Sequence, residues 1–211
     1  MLLLIPALLA CVTALLRGGS MRNLAGLRIR NGYLIMIALM VQLLIYLPAL
    51  RHATFIVAAA VPIYLGALAL ATCGMLRNWH LGLPMRLATL GLLLNFTAIA
   101  INGGHMPTNA QAMARIQGAA KIHELADPHL YANTRLATST TRLTFLTDII
   151  PVQLPTGTGN VYSIGDALIS AGVASLLYLT IRRSTDEGAG DEPSDAVRGA
   201  ISTLRETPAT A

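Results

Sequence analysis

The chain has 211 residues, of which 54% are hydrophobic and only 12% charged, and its mean hydropathy is +0.59. Soluble domains carry about a quarter charged residues, so an ordinary soluble fold is excluded and a membrane composition is indicated. The net charge of +5 and pI near 9.7 suit a nucleic-acid partner in principle. The basic residues nevertheless lie in short flanks between apolar runs, not along one polar face, and this argues against nucleic acid.

No acidic residue precedes Glu124, whereas arginine recurs throughout. A bilayer excludes acids and gathers basic residues at its cytoplasmic edge. The two cysteines, Cys11 and Cys73, fall inside apolar runs and read as packed thiols, not as a disulfide.

The first apolar run covers residues 2–16 and is short for a span of about 20 residues. A cleaved signal peptide carries its positive charge before the apolar core; here Arg17, Arg22, Arg28 and Arg30 follow it. Leu8-Leu9-Ala10-Cys11 resembles a lipoprotein cleavage box, but the core before it is too short and the apolar run continues past it. A retained first transmembrane helix is expected. The arginines of residues 17–30 make the densest basic loop in the chain, which places that loop in the cytoplasm and the amino terminus outside.

Asn31-Gly32 opens a second span over 33–47, closed by Pro48. A tight outer loop with Arg51 and His52 returns the chain into a third span, 53–76. Pro62 inside it predicts a kink supported by neighbouring helices. Residues 77–86, with Arg77, Trp79, His80 and Arg86, form an interfacial loop. Pro84 suits the first turn of a fourth span ending at Ile101.

Asn102-Gly103-Gly104-His105-Met106-Pro107 stops that span, because paired glycines leave a helix cheaply at positive φ. Thr108 or Asn109 then caps a short amphipathic helix over 109–125, with Met113, Ile116 and Ala120 at helical spacing. Gly118 weakens this helix and Asp127-Pro128 breaks it. A short helix is expected near 138–146, followed by a loop through Pro151, Pro155, Gly157 and Gly159. Ser163 and Asp166 have capping-box spacing, with Asp in place of Glu or Gln, and start a fifth span over 164–181. Arg182 and Arg183 stop it on the cytoplasmic side. Residues 184–211 read as a disordered acidic cytoplasmic tail, with a weak helix near 194–205.

The predicted architecture is therefore an all-α integral membrane protein. It is a bundle of five transmembrane helices over residues 1–183, in which an external cap segment, 102–163, carries one or two short helices between the fourth and fifth spans.

Three stretches in this order resemble a known family: Asn102-Gly103-Gly104-x-Met106-Pro107, Thr141-Arg142-Leu143-x-Phe145-Leu146-x-Asp148-Ile149-Ile150-Pro151, and Tyr162-Ser163-Ile164-Gly165-Asp166-Ala167-Leu168-Ile169. The chain up to about Ile181 resembles the bacterial domain of unknown function 5317. That resemblance implies a small multi-pass protein of the bacterial cytoplasmic (inner) membrane, and implies no activity, substrate or cofactor.

The outer segment holds most groups capable of chemistry. His105, His123, His129, Glu124, Asp127 and Asp148 lie there, with His52 on the same side, but no spacing matches a zinc signature. No metal and no cofactor are expected. Asp148 and Asp166 are placed to approach each other, with Arg142 between them and His105 and Asn102 near. The competing structural reading makes Asp166 a helix N-terminal acid and pairs Arg142 with Asp148. In the functional reading Arg142 grips a phosphate or carboxylate, such as a lipid headgroup. Both the catalytic and the lipid-gripping versions require His105, Arg142, Asp148 and Asp166 to share a cavity.

No ionisable residue lies near mid-span and no internal repeat is evident, which disfavours a coupled carrier. Gln42 and Asn95 read as interhelical hydrogen-bonding residues. No nucleophile elbow or phosphate loop supports an enzyme class. By elimination the expected function is a non-catalytic scaffold or partner subunit. Its cap, anchored by Met106, Leu143, Phe145, Leu146, Ile149 and Ile150, binds another membrane or envelope protein or an envelope lipid. The alternative is a lipid- or small-solute-handling enzyme or transporter using Asn102, His105, Arg142, Asp148 and Asp166. Gly103, Gly104, Met106, Pro107, Pro151, Ser163 and Gly165 are expected to serve backbone geometry.

Overall fold

The computed structural model describes residues 4–45, 47, 54–126, 133–155 and 157–183. The predicted roles of Pro48, Arg51, His52, Asp127-Pro128, His129 and the tail 184–211 fall outside these residues. Five helices match the predicted spans in position: α1 (Leu4–Leu16), α2 (Gly32–Ile45), α3 (Thr54–Leu76), α4 (Leu83–Ile101) and, after the cap, α6 (Ile164–Arg182). Between α4 and α6 lie β1 (Met106–Thr108), α5 (Ala110–Ala126), β2 (Thr134–Leu136), β3 (Ile150–Gln153) and β4 (Gly159–Tyr162).

Among the described residues three helices are long and apolar enough to cross a membrane: Ala58–Leu76 of α3, α4 and α6, each contributing 19 residues. The apolar α1 and α2 extend over 13 and 14 residues. The main packings follow the order α1–α6–α4–α3–α2, so the first helix lies against the last. Pro62 is accommodated within α3.

The α4–α6 contact is the closest in the layer, and small residues make it so. A Cβ on Gly172 would lie 2.5 Å from both the Pro84 carbonyl oxygen and the Ala88 nitrogen, and one on Gly91 would overlap the Gly165 carbonyl. Close backbone approach through small residues is the usual way apolar helices associate without a hydrophobic driving force. Asn95 of α4 completes the contact. Its Nδ2 donates to Asp166 Oδ1 at 2.7 Å, and Ser163 Oγ donates to its Oδ1 at 2.9 Å. Asn95 thus hydrogen-bonds between helices as its sequence position suggested, whereas Gln42 makes no hydrogen bond among the described residues.

At the arginine-rich end, the last carbonyls of α6 are satisfied by the loop after α1. Ser20 N donates to Ile181 O at 2.9 Å, and Asn23 Nδ2 donates to Ile181 O at 2.9 Å and Arg183 O at 2.6 Å. Helix ends leave such carbonyls without intrahelical partners, so a short polar loop locks α1 to α6. Nearby, the Arg86 guanidinium stacks 5.7 Å from the Trp79 ring centre, an arrangement suited to an interfacial loop.

The cap corrects the all-α expectation. β1, α5 and β2 form a small β-α-β unit, with β1 parallel to β2 and Pro107 opposite Arg135. β3 and β4 form an antiparallel hairpin, with Pro151 opposite Val161. Proline and glycine interrupt any alternation over 151–159, which predicts a loop there. Each strand of the hairpin has a single partner, however, and an edge strand tolerates proline.

The expected short helix near 138–146 shrinks to one 3-10 turn, Thr144–Leu146. The amphipathic helix is present as α5, and Asn109 caps it, its Oδ1 accepting from Ala112 N at 2.9 Å. Gly118 adopts φ 80° and breaks the helical path. The phase therefore changes, so Met113 and Leu125 are buried while Ala120 is exposed.

The cap has its own apolar cluster, Met113, Leu125 and Val161. It also inserts Met106 and Leu146 into the main core with Ile45, Ala60, Tyr64, Leu68, Ala98 and Ile99. The cap is therefore seated on the helix ends. Leu143 packs against the same core. The other expected anchors, Phe145, Ile149 and Ile150, are exposed at 57%, 40% and 38%.

Candidate functional site

The turn after α4 fixes the geometry of everything above it. Gly103 and Gly104 adopt φ 74° and 87°, and Gly104 N donates back to Ile99 O at 2.9 Å. Only glycine takes this conformation without strain. A side chain on Gly104 would also overlap Val61 of α3.

Asn102, the cap residue of α4, is a backbone clamp. Its Nδ2 donates to Ala98 O at 2.8 Å and to Arg142 O at 3.0 Å, while its Oδ1 accepts from Arg142 N at 2.9 Å. One carboxamide thus pairs with both the N–H and the carbonyl of one residue across 40 residues of chain, and its polar atoms are fully engaged. It holds the main chain of Arg142 and leaves the guanidinium free to turn elsewhere.

β1 is the divide within the cap. On one edge it pairs with β2. On its other edge Asp148 N donates to Pro107 O at 2.9 Å and Asn109 N donates to Asp148 O at 2.9 Å. Pro107 itself lacks an N–H, and the position suits it because that edge carries only this single bridge. The five predicted site residues separate accordingly.

On the β2 side lies a polar pocket of about 460 Å³ lined by His105, Arg142, Arg135, Thr138, Thr140 and Thr141, together with Asn102 and Pro107. No acidic residue lines it. The threonines form an ordered turn: Thr138 N donates to Thr141 Oγ1 at 2.9 Å, and the Thr138 and Thr140 hydroxyls lie 2.8 Å apart. Among the described residues, neither the Arg135 nor the Arg142 guanidinium has a hydrogen-bonding or ionic partner. The Arg142–Asp148 ion pair expected from the sequence is not formed.

On the opposite side lie the acids. Asp166 closes a capping box at the start of α6: its Oδ2 accepts from Ser163 N at 3.1 Å, and Ser163 Oγ accepts from Asp166 N at 3.0 Å. With the bond that Asn95 Nδ2 donates to Oδ1, both Asp166 oxygens are occupied, and the carboxylate also benefits from the positive end of the helix. Gly165 is part of the same joint, because a Cβ there would overlap Asn95 Oδ1.

Asp148 is different. It is 8% exposed, and its Oδ1 has no hydrogen-bond partner. Burial first, and then the neighbouring Asp166 carboxylate, pushes the Asp148 carboxyl up to about 8. It therefore carries a proton at neutral pH. Leu143, just before the 3-10 turn leading to Asp148, adopts φ 50° and ψ 49°, uncommon for a bulky residue.

Among the described residues, His105, Arg142, Asp148 and Asp166 do not line one pocket, so a site built from all four, catalytic or lipid-gripping, is not formed. The first two line the basic pocket, and the other two form a separate acidic pair. The sequence reading overlooked Arg135 and the three threonines. A signal was present in the repeated Thr-Arg-Leu, at 134–136 and 141–143, bracketing a hydroxyl-rich stretch. The two copies adopt different structures, a strand and a left-handed turn. Among the described residues no three His, Cys, Asp or Glu side chains converge on a point that would hold a metal ion. Lys121 and Glu124 form an ion pair within α5 at 2.9 Å.

The fold and site define a class: a mostly helical protein, with three helices of membrane-crossing length, carrying a small α/β cap. The chain belongs to the Family of unknown function (DUF5317), whose model matches residues 26–178, from just before α2 through most of α6 and including the whole cap. No curated protein and no solved structure matches it.

Proposed function

We propose that the protein is a non-catalytic scaffold or partner subunit of the bacterial cytoplasmic membrane, with five spans, its amino terminus outside and its carboxyl terminus in the cytoplasm. The cap then lies at the outer face and is the binding element, for an envelope protein or lipid. The observation that carries this reading is the separation of the polar set by β1. Asn102 and Asp166 are consumed by backbone and helix-cap bonds, Asp148 is enclosed, and among the described residues no nucleophile–base–orienter arrangement remains. Around the acidic side the cap presents Phe145, Ile149, Ile150 and Val152, all exposed, an apolar surface of the kind used for partners or lipid.

Arginine placement supports the orientation. Arg17, Arg22, Arg28, Arg30, Arg77, Arg86, Arg182 and Arg183 sit on loops or helix ends opposite the cap, and short cytoplasmic loops carry such an excess.

The test is affinity purification of the full chain from membranes in mild detergent after chemical cross-linking. A stoichiometric protein, or a lipid class retained beyond its bulk abundance, is expected. Recovery of the chain with neither overturns the reading. A reporter fused to the carboxyl terminus should be active only in the cytoplasm; activity only outside overturns the orientation.

A further inference from the structure

We propose that the pocket between β1, β2 and the 138–142 turn is an anion site for a phosphate group, and that Arg135 and Arg142 are its principal ligands. This deepens the reading of the cap as the binding element. The first support is charge without compensation: two guanidiniums face a pocket of about 460 Å³ that no acid lines. β1 stands between this pocket and the acids, since Arg135 pairs on one edge of the strand and Asp148 on the other. The nearer acid, Asp148, keeps its proton at neutral pH and adds little opposing charge.

The second support is order. Arg142 is held at both its N–H and its carbonyl by Asn102, and Arg135 is set in register opposite Pro107. Two guanidinium forks on clamped backbone suit an oxyanion with several acceptor oxygens. The Thr141 Oγ1 already accepts from Thr138 N, which leaves its own hydrogen to donate. A tetrahedral phosphate uses such a mixture of forks and hydroxyls more fully than a planar carboxylate does.

The third support is position. Ile101, the last residue of the membrane-length α4, lines the same pocket, which places it at the depth of lipid headgroups. Its volume exceeds that of a lone phosphate, so a phosphate-bearing headgroup and free phosphate are the two sources of one chemistry.

The experiment uses the purified full chain in a neutral detergent. Inorganic phosphate and short-chain phosphatidylglycerol are titrated separately by calorimetry, with short-chain phosphatidylcholine as the zwitterionic comparison. Replacing either arginine by alanine should weaken binding roughly 10-fold, and Arg135→Ala with Arg142→Ala together by 100-fold or more, as for charge-assisted hydrogen bonds. Arg142→Lys should restore part of the loss because it keeps charge without the fork. Arg115→Ala, on α5 outside the pocket, should bind as the parent does.

Binding of both anionic probes, or of phosphate alone, supports the site with free phosphate as a sufficient ligand. Phosphatidylglycerol binding that depends on the two arginines, without measurable phosphate binding, supports the headgroup as the source. No binding of either probe to the folded parent chain, or binding unchanged in the double variant, overturns the proposal. Melting temperature of each variant verifies the fold. Partner recovery by the double variant distinguishes failure of this site from failure of the scaffold reading, since a partner held by the apolar face is still recovered.

Discussion

Asn78 and Asn102 perform the same operation at opposite ends of the helix layer. Asn78, just past α3, donates to Gly74 O four residues back and to Arg30 O, and accepts from Arg30 N, at 2.7, 2.8 and 2.7 Å. Asn102, at the end of α4, does the same with Ala98 and with Arg142. In both cases a carboxamide replaces a peptide unit, and an arginine supplies the main chain that is gripped. The surroundings differ. Asn78 is completely buried, while Asn102 is partly exposed beside a polar pocket. The clamp at the arginine-rich end closes a loop, and the clamp at the cap end supports a site. Similar local bonding therefore says little about role; what lies next to the clamped arginine decides it.

Four substitutions break or sharpen this comparison, all read as thermal or denaturant unfolding of the chain in detergent. Asn78→Ala should have the largest effect, a loss of about 4 kcal/mol, because three bonds vanish, one of them fully buried at Gly74 O and two part-buried at Arg30. Gly165→Ala should follow at about 3 kcal/mol, since its methyl forces α4 and α6 apart at Asn95; a neutral outcome would show that the cap-end joint is loose.

Asp148→Asn should stabilise the protein, with a pH signature. Between the ordinary value of 3.8 and about 8, the folded state keeps a proton that the unfolded state has released, so stability falls as pH rises through this window and levels off above it. The asparagine variant lacks that slope. Its advantage over the parent should widen by at most about 1.4 kcal/mol per pH unit, roughly 2–3 kcal/mol from pH 5 to pH 7. Parallel pH profiles would remove the buried protonated acid from the account. Asn102→Ala should cost least, about 1–2 kcal/mol, because water replaces part of what is lost. Equal losses for Asn78→Ala and Asn102→Ala would mean that the cap end is as closed as the other.

Much of the fold is written locally. Asn102-Gly103-Gly104 ends a helix wherever it occurs after an apolar run, and Ser163 with Asp166 begins one, because those bonds close within a few residues. The predominantly apolar runs that become α1, α2, α3, α4 and α6 are equally plain, since a long apolar run needs no partner to be read as a membrane helix. The interhelical role of Asn95 was legible because a lone polar group in an apolar run commonly finds a partner on another helix, although Gln42, read in the same way, makes no hydrogen bond among the described residues.

What only the tertiary structure decided is the pairing of distant, short segments. β1 and β2 are three residues each, too short to show a period, and they meet only because α5 returns the chain. One Thr-Arg-Leu becomes a strand and the other a turn with Leu143 at positive φ, since their neighbours differ while their letters do not. The burial of Asp148, the separation of the acids from the arginines by a single strand, and the recruitment of Arg135 beside Arg142 depend on contacts across tens of residues. The sequence determined which groups the cap contains and, to within a few residues, where the five long apolar helices lie. Which of those groups face one another was settled by long-range backbone pairing, for which the local pattern carries no code.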